Sequence, residues 1–164
     1  MSRLKIAMLL FVAVPLSACA SSHLVVEQAN RSSVRAQAIS LAYDDTTVTG
    51  VPQEAAAYVQ RKMEEEFFGS DDAQWARGQD LTIRYRFVGY DQGSRLARYF
   101  AGTFGAGEAQ MVLEADFVDP AGNLLARVRS EGEVRMGIFG GSHNSAIDEA
   151  IEEIHDYAVT HFRG

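Results

Sequence analysis

Cysteine is nearly absent from this sequence, because only Cys19 among the 164 residues is a cysteine. A single cysteine cannot form a disulfide within the chain, even in an oxidising compartment, which excludes a disulfide-stapled scaffold. The N-terminal apolar stretch, residues 6 to 14, is also short, at about nine residues. A membrane-spanning helix needs about 20 apolar residues, so this stretch cannot cross a bilayer.

Basic residues are scarce as well, with 15 Lys and Arg against 22 Asp and Glu and a formal net charge of −7 at pH 7. Removing Arg3 and Lys5 with a signal peptide would lower this charge by two, to −9. An acidic chain is repelled by nucleic acid and by anionic lipid surfaces, which argues against nucleic-acid binding. The length suits one domain with one core, and no repeat or low-complexity tract is present.

The N-terminus has the pattern of a bacterial lipoprotein signal. Arg3 and Lys5 precede the apolar stretch, which has the length of a signal-peptide core. The segment Leu16-Ser17-Ala18-Cys19 then has the form of a lipobox: an aliphatic residue, two small residues and cysteine. This pattern predicts that residues 1–18 are cleaved and that Cys19 is lipidated with diacylglycerol and palmitate-type chains. The alternative is an ordinary secretory signal with an incidental cysteine.

The lipid anchor has consequences for location. Each buried CH₂ contributes about 0.8 kcal/mol, so several acyl chains on Cys19 would hold the protein permanently on a membrane. In Gram-negative bacteria an Asp after the lipidated cysteine favours the inner membrane, so Ala20 predicts the outer membrane, with the domain facing the periplasm. Residues 19–33 are predicted to be the lipidated Cys and a tether, reaching roughly 50 Å if extended, with room for a short strand at residues 24–26. Residues 34–164 form the single predicted domain.

Periodic patterns indicate the fold of that domain. Apolar residues four apart predict a first helix over 52–68, and a second helix is predicted from near Ser145 to the C-terminus. A first strand is predicted within residues 34–43, where the alternation is imperfect. Clean period-two alternation predicts strands within residues 80–90, 109–117 and 124–136, the last two joined by a turn at 119–123. We expect an α+β fold: a two-layer sandwich with a mainly antiparallel sheet of about four strands and two helices on one face, in the order β-α-β-β-β-α.

The charged residues of these strands alternate with the apolar ones. Glu114 and Asp116 are predicted to point away from the core, as are Arg127 and Arg129 on the next strand. We expect a solvated sheet face on which acidic and basic side chains of neighbouring strands pair.

Two glycine-rich segments, 101–109 and 136–143, invite a test for phosphate binding. In 101–109 the P-loop Lys and Ser are missing, Glu108 would repel phosphate, and a strand rather than a helix follows, so no nucleotide site is expected. The four His residues do not form a ligand set with suitable spacing, so no metal and no other cofactor is expected. No catalytic motif is present, and we do not expect an enzyme.

The same segments predict a contact surface. These segments follow the strands at 80–90 and 124–136. Both strands flank one antiparallel partner, so they run in the same direction, and the segments after them leave the sheet at the same end. Together with a long basic and aromatic connection, they define a predicted contact rim. Its members are Phe104, Gly105, Gly107, Phe139, Gly140, Arg95 and Arg98.

Together with the lipobox, the segment 98–127 resembles the bacterial lipoprotein family known as domain of unknown function 4410. The segment reads RYFAGTFGAGEAQMVLEADFVDPAGNLLAR. The family's Gly-Phe-Gly-x-Gly loop corresponds to residues 103–107, where Thr103 replaces the first Gly, and Glu108 replaces the usual basic residue after the loop. The resemblance implies an envelope lipoprotein with an α+β domain and gives no catalytic residues.

We therefore expect a non-enzymatic interaction or assembly module of the cell envelope, with the contact rim binding a protein partner. The alternative is a ligand-binding lipoprotein that holds an envelope glycan or a peptide fragment at Arg95 and Arg98. A hydrolase without a detectable motif is a third hypothesis.

Overall fold

Six strands and two helices make up the part of the chain that the computed structural model describes, residues 22–46, 50–69, 74–90, 109–134 and 143–164. In chain order they are β1 (Ser22–Gln28), β2 (Ala38–Tyr43), α1 (Gln53–Phe68), β3 (Ala76–Arg77), β4 (Leu81–Tyr90), β5 (Ala109–Val118), β6 (Leu124–Val134) and α2 (His143–Phe162).

All six strands belong to one mixed sheet with the order β1-β6-β5-β4-β2-β3. The pairs β1 with β6, β6 with β5, and β5 with β4 are antiparallel, whereas β2 is parallel to both β4 and β3. The parallel pairs arise because α1 carries the chain back to the end where β2 began before the next strand starts.

The expected sheet of about four mainly antiparallel strands is therefore wrong in strand number and in the pairing of β2, although the α+β class is correct. The predicted order β-α-β-β-β-α omits two strands, β1 and β3. β3 has only two residues, too few for a pattern. β1 lies in the segment interpreted as a tether, where the expected short strand at residues 24–26 is seven residues long. β1 is held in the sheet by pairing with the distant β6, which local alternation does not reveal.

Both helices pack on one face of the sheet through the stripes that their spacing predicts. α1 buries Val59, Met63 and Phe67, and its last turn closes where the Gly69 N–H donates to the Glu65 carbonyl at 2.8 Å. α2 buries a longer stripe that ends at Phe162, whose ring stacks on Phe117 of β5 at 5.0 Å. The core thus lies between the helices and the inward side chains of β4, β5 and β6.

The predicted turn between β5 and β6 is present and is built around one carboxylate. The Asp119 side chain accepts the backbone N–H groups of Ala121 at 2.9 Å and Asn123 at 2.8 Å. Gly122 has a φ of 88°, the left-handed region in which glycine has no steric penalty. This turn fixes the register of β5 against β6.

The pairing also fixes which strand ends lie together. Ser22 of β1 is opposite Gly132, Ala109 of β5 is opposite Val134, and Tyr90 of β4 is opposite Met111. β1 and β5 therefore begin at the same end of the sheet at which β4 and β6 finish. We call it the proximal end, because it is the end nearest in sequence to Cys19.

Candidate interaction surface

The site residues predicted from the sequence lie outside the described residues. They are Cys19 and the whole contact rim: Phe104, Gly105, Gly107, Phe139, Gly140, Arg95 and Arg98. The flanking strands are described, and β4, β5 and β6 are adjacent and antiparallel, which is the condition for the two Phe-Gly segments to leave one end of the sheet. The rim itself stays a prediction.

The sheet face opposite the helices carries a set of paired charges, which we call the open-face charge cluster: Glu27, Arg86, Glu114, Asp116, Arg127 and Arg129. Its centre is Glu114, which is only 1 % exposed. The Glu114 carboxylate accepts hydrogen bonds from Arg86 and, at 2.6 Å, from the Arg129 Nε. The guanidinium groups of β4 and β6 thus enclose a carboxylate of β5.

Asp116 is the second carboxylate of the cluster. Arg127 donates to both of its oxygens, at 2.5 and 2.8 Å, and Arg86 donates at 3.2 Å. Burial raises the pKa of Asp116, but the hydrogen bonds and positive charges of Arg127 and Arg86 outweigh it, so the pKa lies below its ordinary value. Asp116 is therefore ionised at neutral pH, with arginines of β4 and β6 against its charge.

The helical layer uses its polar side chains for packing. The Tyr58 hydroxyl of α1 donates to the Asp148 carboxylate of α2 at 2.8 Å, and the buried Ser130 hydroxyl of β6 donates to Glu153 at 2.7 Å. Burial and the hydrogen bond to Asp148 raise the pKa of Tyr58.

Within the described ranges, no three His, Cys, Asp or Glu side chains lie close enough to hold a metal ion. Neither of the two described helices is long and apolar enough to span a membrane.

β1 is an edge strand of the sheet. Val25 and Val26 are 37 % and 44 % exposed, more than any other large hydrophobic side chain among the described residues. Successive residues of a strand point to opposite faces, so exposure of both valines means that the edge between the faces is uncovered.

The side of β1 that pairs with β6 is attached to the domain by several side-chain contacts. Glu27 pairs with Arg129 at 2.7 Å, the Gln28 side chain donates to the Leu124 carbonyl at 3.1 Å, and Leu24 packs against the core. Just after the strand, the Asn30 N–H donates to the Tyr157 hydroxyl at 3.3 Å. β1 is thus an ordered strand whose outer edge is open.

The opposite edge of the sheet is different. It ends in β3, which offers only two residues. Arg77 of β3 pairs with Glu64 at 2.6 Å and lies 4.1 Å above the Phe68 ring. Short edge strands that carry charges resist pairing with another strand. β1, in contrast, has seven residues and contains no Lys, Arg or Pro.

Sequence reasoning missed this edge as a functional feature. The adjacent Leu24, Val25 and Val26 gave a strand signal, but they gave no sign that the strand lies at the edge of the sheet. A strand order, which comes only from the tertiary pairing, is needed for that conclusion.

Solved structures with a similar fold include two of the protein PelC. A PelC dodecamer from Paraburkholderia phytofirmans in space group P6 matches with a TM-score of 0.56 and 7 % identity, covering 88 % of this chain and 99 % of that chain. A point variant of the PelC dodecamer from the same organism, in space group C2, matches with a TM-score of 0.53 and 10 % identity, covering 88 % and 100 %. At these identities the likeness concerns the fold alone.

No curated protein matches the sequence. A family model does: the one described as Domain of unknown function (DUF4410) matches residues 34–137, from before β2 to beyond the end of β6. This match covers more than half of the chain and includes the segment that resembled the family. The protein therefore belongs to the DUF4410 family.

Proposed function

We propose that the protein is a lipoprotein anchored by Cys19 in the outer membrane, facing the periplasm, and that it acts without catalysis as an assembly module of the cell envelope. The observation that carries the assembly role is the open edge of β1, with Val25 and Val26 exposed beside it. An ordered strand with an unpaired edge is a template for pairing with another chain.

The position of β1 relative to the predicted anchor supports the proposal. Ser22 is the third residue after Cys19, so the two residues are at most about 10 Å apart along the chain. An acylated Cys19 would hold the proximal end of the sheet at the membrane surface. The open edge would then be presented next to the bilayer, where neighbouring anchored proteins are concentrated.

The fold similarity also supports an assembly role. PelC, which shares this fold over nearly its whole chain, is a dodecamer. In this chain, Glu114 and Asp116, carboxylates that could otherwise do acid–base chemistry, are neutralised by arginines in the open-face charge cluster. That arrangement suits a rigid framework better than a reaction site.

The anchor is tested by expressing Cys19→Ser in a Gram-negative host with labelled palmitate. We expect the native chain to be acylated, cleaved and recovered with outer-membrane vesicles, and the variant to remain an unlabelled precursor. Ser17→Ala, which keeps a small residue in the lipobox, is the matched control and should be processed normally. Palmitate incorporation into the Cys19→Ser chain would refute the anchor.

The assembly role is tested on the acylated full chain extracted in mild detergent. Sedimentation velocity should give a protein mass larger than one chain, or affinity capture should recover a stoichiometric partner. A monomer without any captured partner would refute the proposed function.

A further inference from the structure

We infer that the open edge of β1 pairs with the β1 edge of a second copy of this chain, antiparallel and centred on Val25. This inference rests on the proposed assembly role and names the partner and the surface. It follows from three features of the described residues: the difference between the two sheet edges, the residue pattern of β1, and the geometry of the strand.

The two edges of the sheet favour pairing of like with like. In a head-to-tail arrangement that continues the sheet, β1 of one copy would pair with the opposite edge of the next copy. That edge is β3, which has two residues and carries Arg77 already paired with Glu64. Beyond β3, the opposite edge continues on the four residues of β2 that β3 does not pair, 40–43. Among the described strands, another β1 therefore provides the one continuous edge that matches the seven residues of β1.

The residue pattern of β1 is self-complementary. Antiparallel pairing about Val25 places Val25 opposite the second copy's Val25, and Leu24 opposite the second copy's Val26. His23 then lies on the side of the second copy's Glu27, the residue at the β1 bulge, twice by symmetry. Directly opposite residues share a face, so the apolar side chains at the centre of the pairing meet apolar ones.

The register of β1 within its own sheet places these side chains correctly. Leu24 and Val26 lie opposite Ser130 and Val128, which belong to the buried inner face, so their pairing would extend the core between the two copies. Glu27 already contacts Arg129 at 2.7 Å, so the second copy's His23 would lie beside the open-face charge cluster. The bulge between Val26 and Gln28 leaves Val25 and its two neighbours in the regular part of the ladder.

The pairing also constrains how two anchored copies lie on one membrane. In this register the two Ser22 residues are six positions apart along the strands, about 20 Å. Each is linked to its Cys19 by at most about 10 Å of chain. Both anchors reach one bilayer only if the strands lie along the membrane surface rather than upright.

Cysteine cross-linking tests the register on the full acylated chain, in which Cys19 is blocked by its lipid. Directly opposite residues of antiparallel strands have Cα atoms about 4.5 to 5.5 Å apart, which suits a disulfide. We expect Val25→Cys to give a disulfide-linked dimer on mild oxidation. Val26→Cys is the matched control, because it is an equally exposed neighbouring valine whose counterpart in the second copy would be about 8 Å away.

Association is measured in parallel by sedimentation. Val25→Lys would place two like charges directly opposite each other and should weaken the dimer at least about tenfold. Ala76→Lys puts the same charge on the exposed opposite edge and should leave association unchanged.

The outcomes separate the inference from the proposed function. Cross-linking of Val25→Cys but not Val26→Cys, with loss of association in Val25→Lys, supports the inference. An oligomer that Val25→Lys leaves intact, or that is lost instead when Phe104 and Phe139 become Ser, overturns the β1 pairing and keeps the assembly role. A chain that captures a different protein through β1 overturns the choice of partner. A monomer that captures nothing overturns both proposals.

Discussion

The substitution Glu114→Gln tests whether the open-face charge cluster stabilises the fold. It keeps the shape of a side chain that is 1 % exposed, but it replaces the charge that Arg86 and Arg129 contact with a neutral amide. Hydrogen bonds to charged groups contribute about 1.5–3 kcal/mol each. Arg129 is about one-third exposed and regains part of its hydration when the charge is removed, so the two contributions do not add fully.

We therefore expect Glu114→Gln to lower the free energy of unfolding by about 2.5 kcal/mol. For a folded unit of roughly 143 residues, 22–164, an entropy of unfolding near 2.1 cal/mol/K per residue converts this loss to a Tm about 8 °C lower. The assay is thermal unfolding followed by circular dichroism at pH 7. Glu152→Gln makes the same chemical change at an exposed position of α2 and should shift Tm by no more than about 2 °C.

A double-mutant cycle identifies the source of the effect. If the Glu114–Arg129 contact carries it, Glu114→Gln and Arg129→Gln should show a coupling of about 1 kcal/mol or more. Equal Tm shifts for Glu114→Gln and Glu152→Gln would refute the view that the cluster is a stabilising network. A coupling near zero would exclude the Glu114–Arg129 contact as the source of the effect.

Three further predictions concern pH, core and turn. The pKa of Asp116 is lower in the folded chain than in the unfolded chain. Its ionised form therefore contributes its full stabilisation above about pH 4, and this stabilisation is lost as the pH falls below that value. Asp116→Asn should accordingly flatten the acid side of a plot of Tm against pH. Phe162→Ala removes a fully buried ring stacked on Phe117 and should cost about 3–5 kcal/mol in urea unfolding, whereas a cost below 1 kcal/mol would contradict the packing. Gly122→Ala adds a methyl group that meets nothing within 4 Å, so any loss of stability comes from the positive φ alone. We expect the free energy of unfolding to fall by about 1 kcal/mol, and an unchanged urea midpoint would show that the positive φ has no such cost.

The parts of the fold that sequence reasoning predicted are those specified by local patterns. The four-residue spacing of Val59, Met63 and Phe67 depends only on helix geometry, and α1 was predicted to within one residue. The turn at Asp119 and Gly122 follows from the conformational preferences of those residues, and it is present as expected. α2 begins at His143, two residues before the predicted start.

The parts that could not be predicted depend on residues far apart in the chain. Glu114 was correctly assigned to the face away from the core, but it was expected to be solvated. It is buried because arginines from β4 and β6 close over it, and this requires the register that places both Arg86 and Arg129 directly opposite Glu114. The edge position of β1 likewise follows only from its pairing with β6.

The length of free chain after Cys19 decides how an anchored domain can meet a partner. A tether over residues 20–33 would reach roughly 50 Å and let the domain sample a large volume of the periplasm. With β1 in the sheet from Ser22, only Ala20 and Ser21 separate it from the predicted lipid anchor, a reach of about 10 Å. The domain would then move in the plane of the membrane, where confinement raises the effective concentration of neighbouring copies and lets even a short strand pair with its equivalent. Lengthening the link by ten Gly and Ser residues after Ala20 should therefore weaken association in membranes while leaving it unchanged in detergent, and equal weakening in both would contradict this role of the short link.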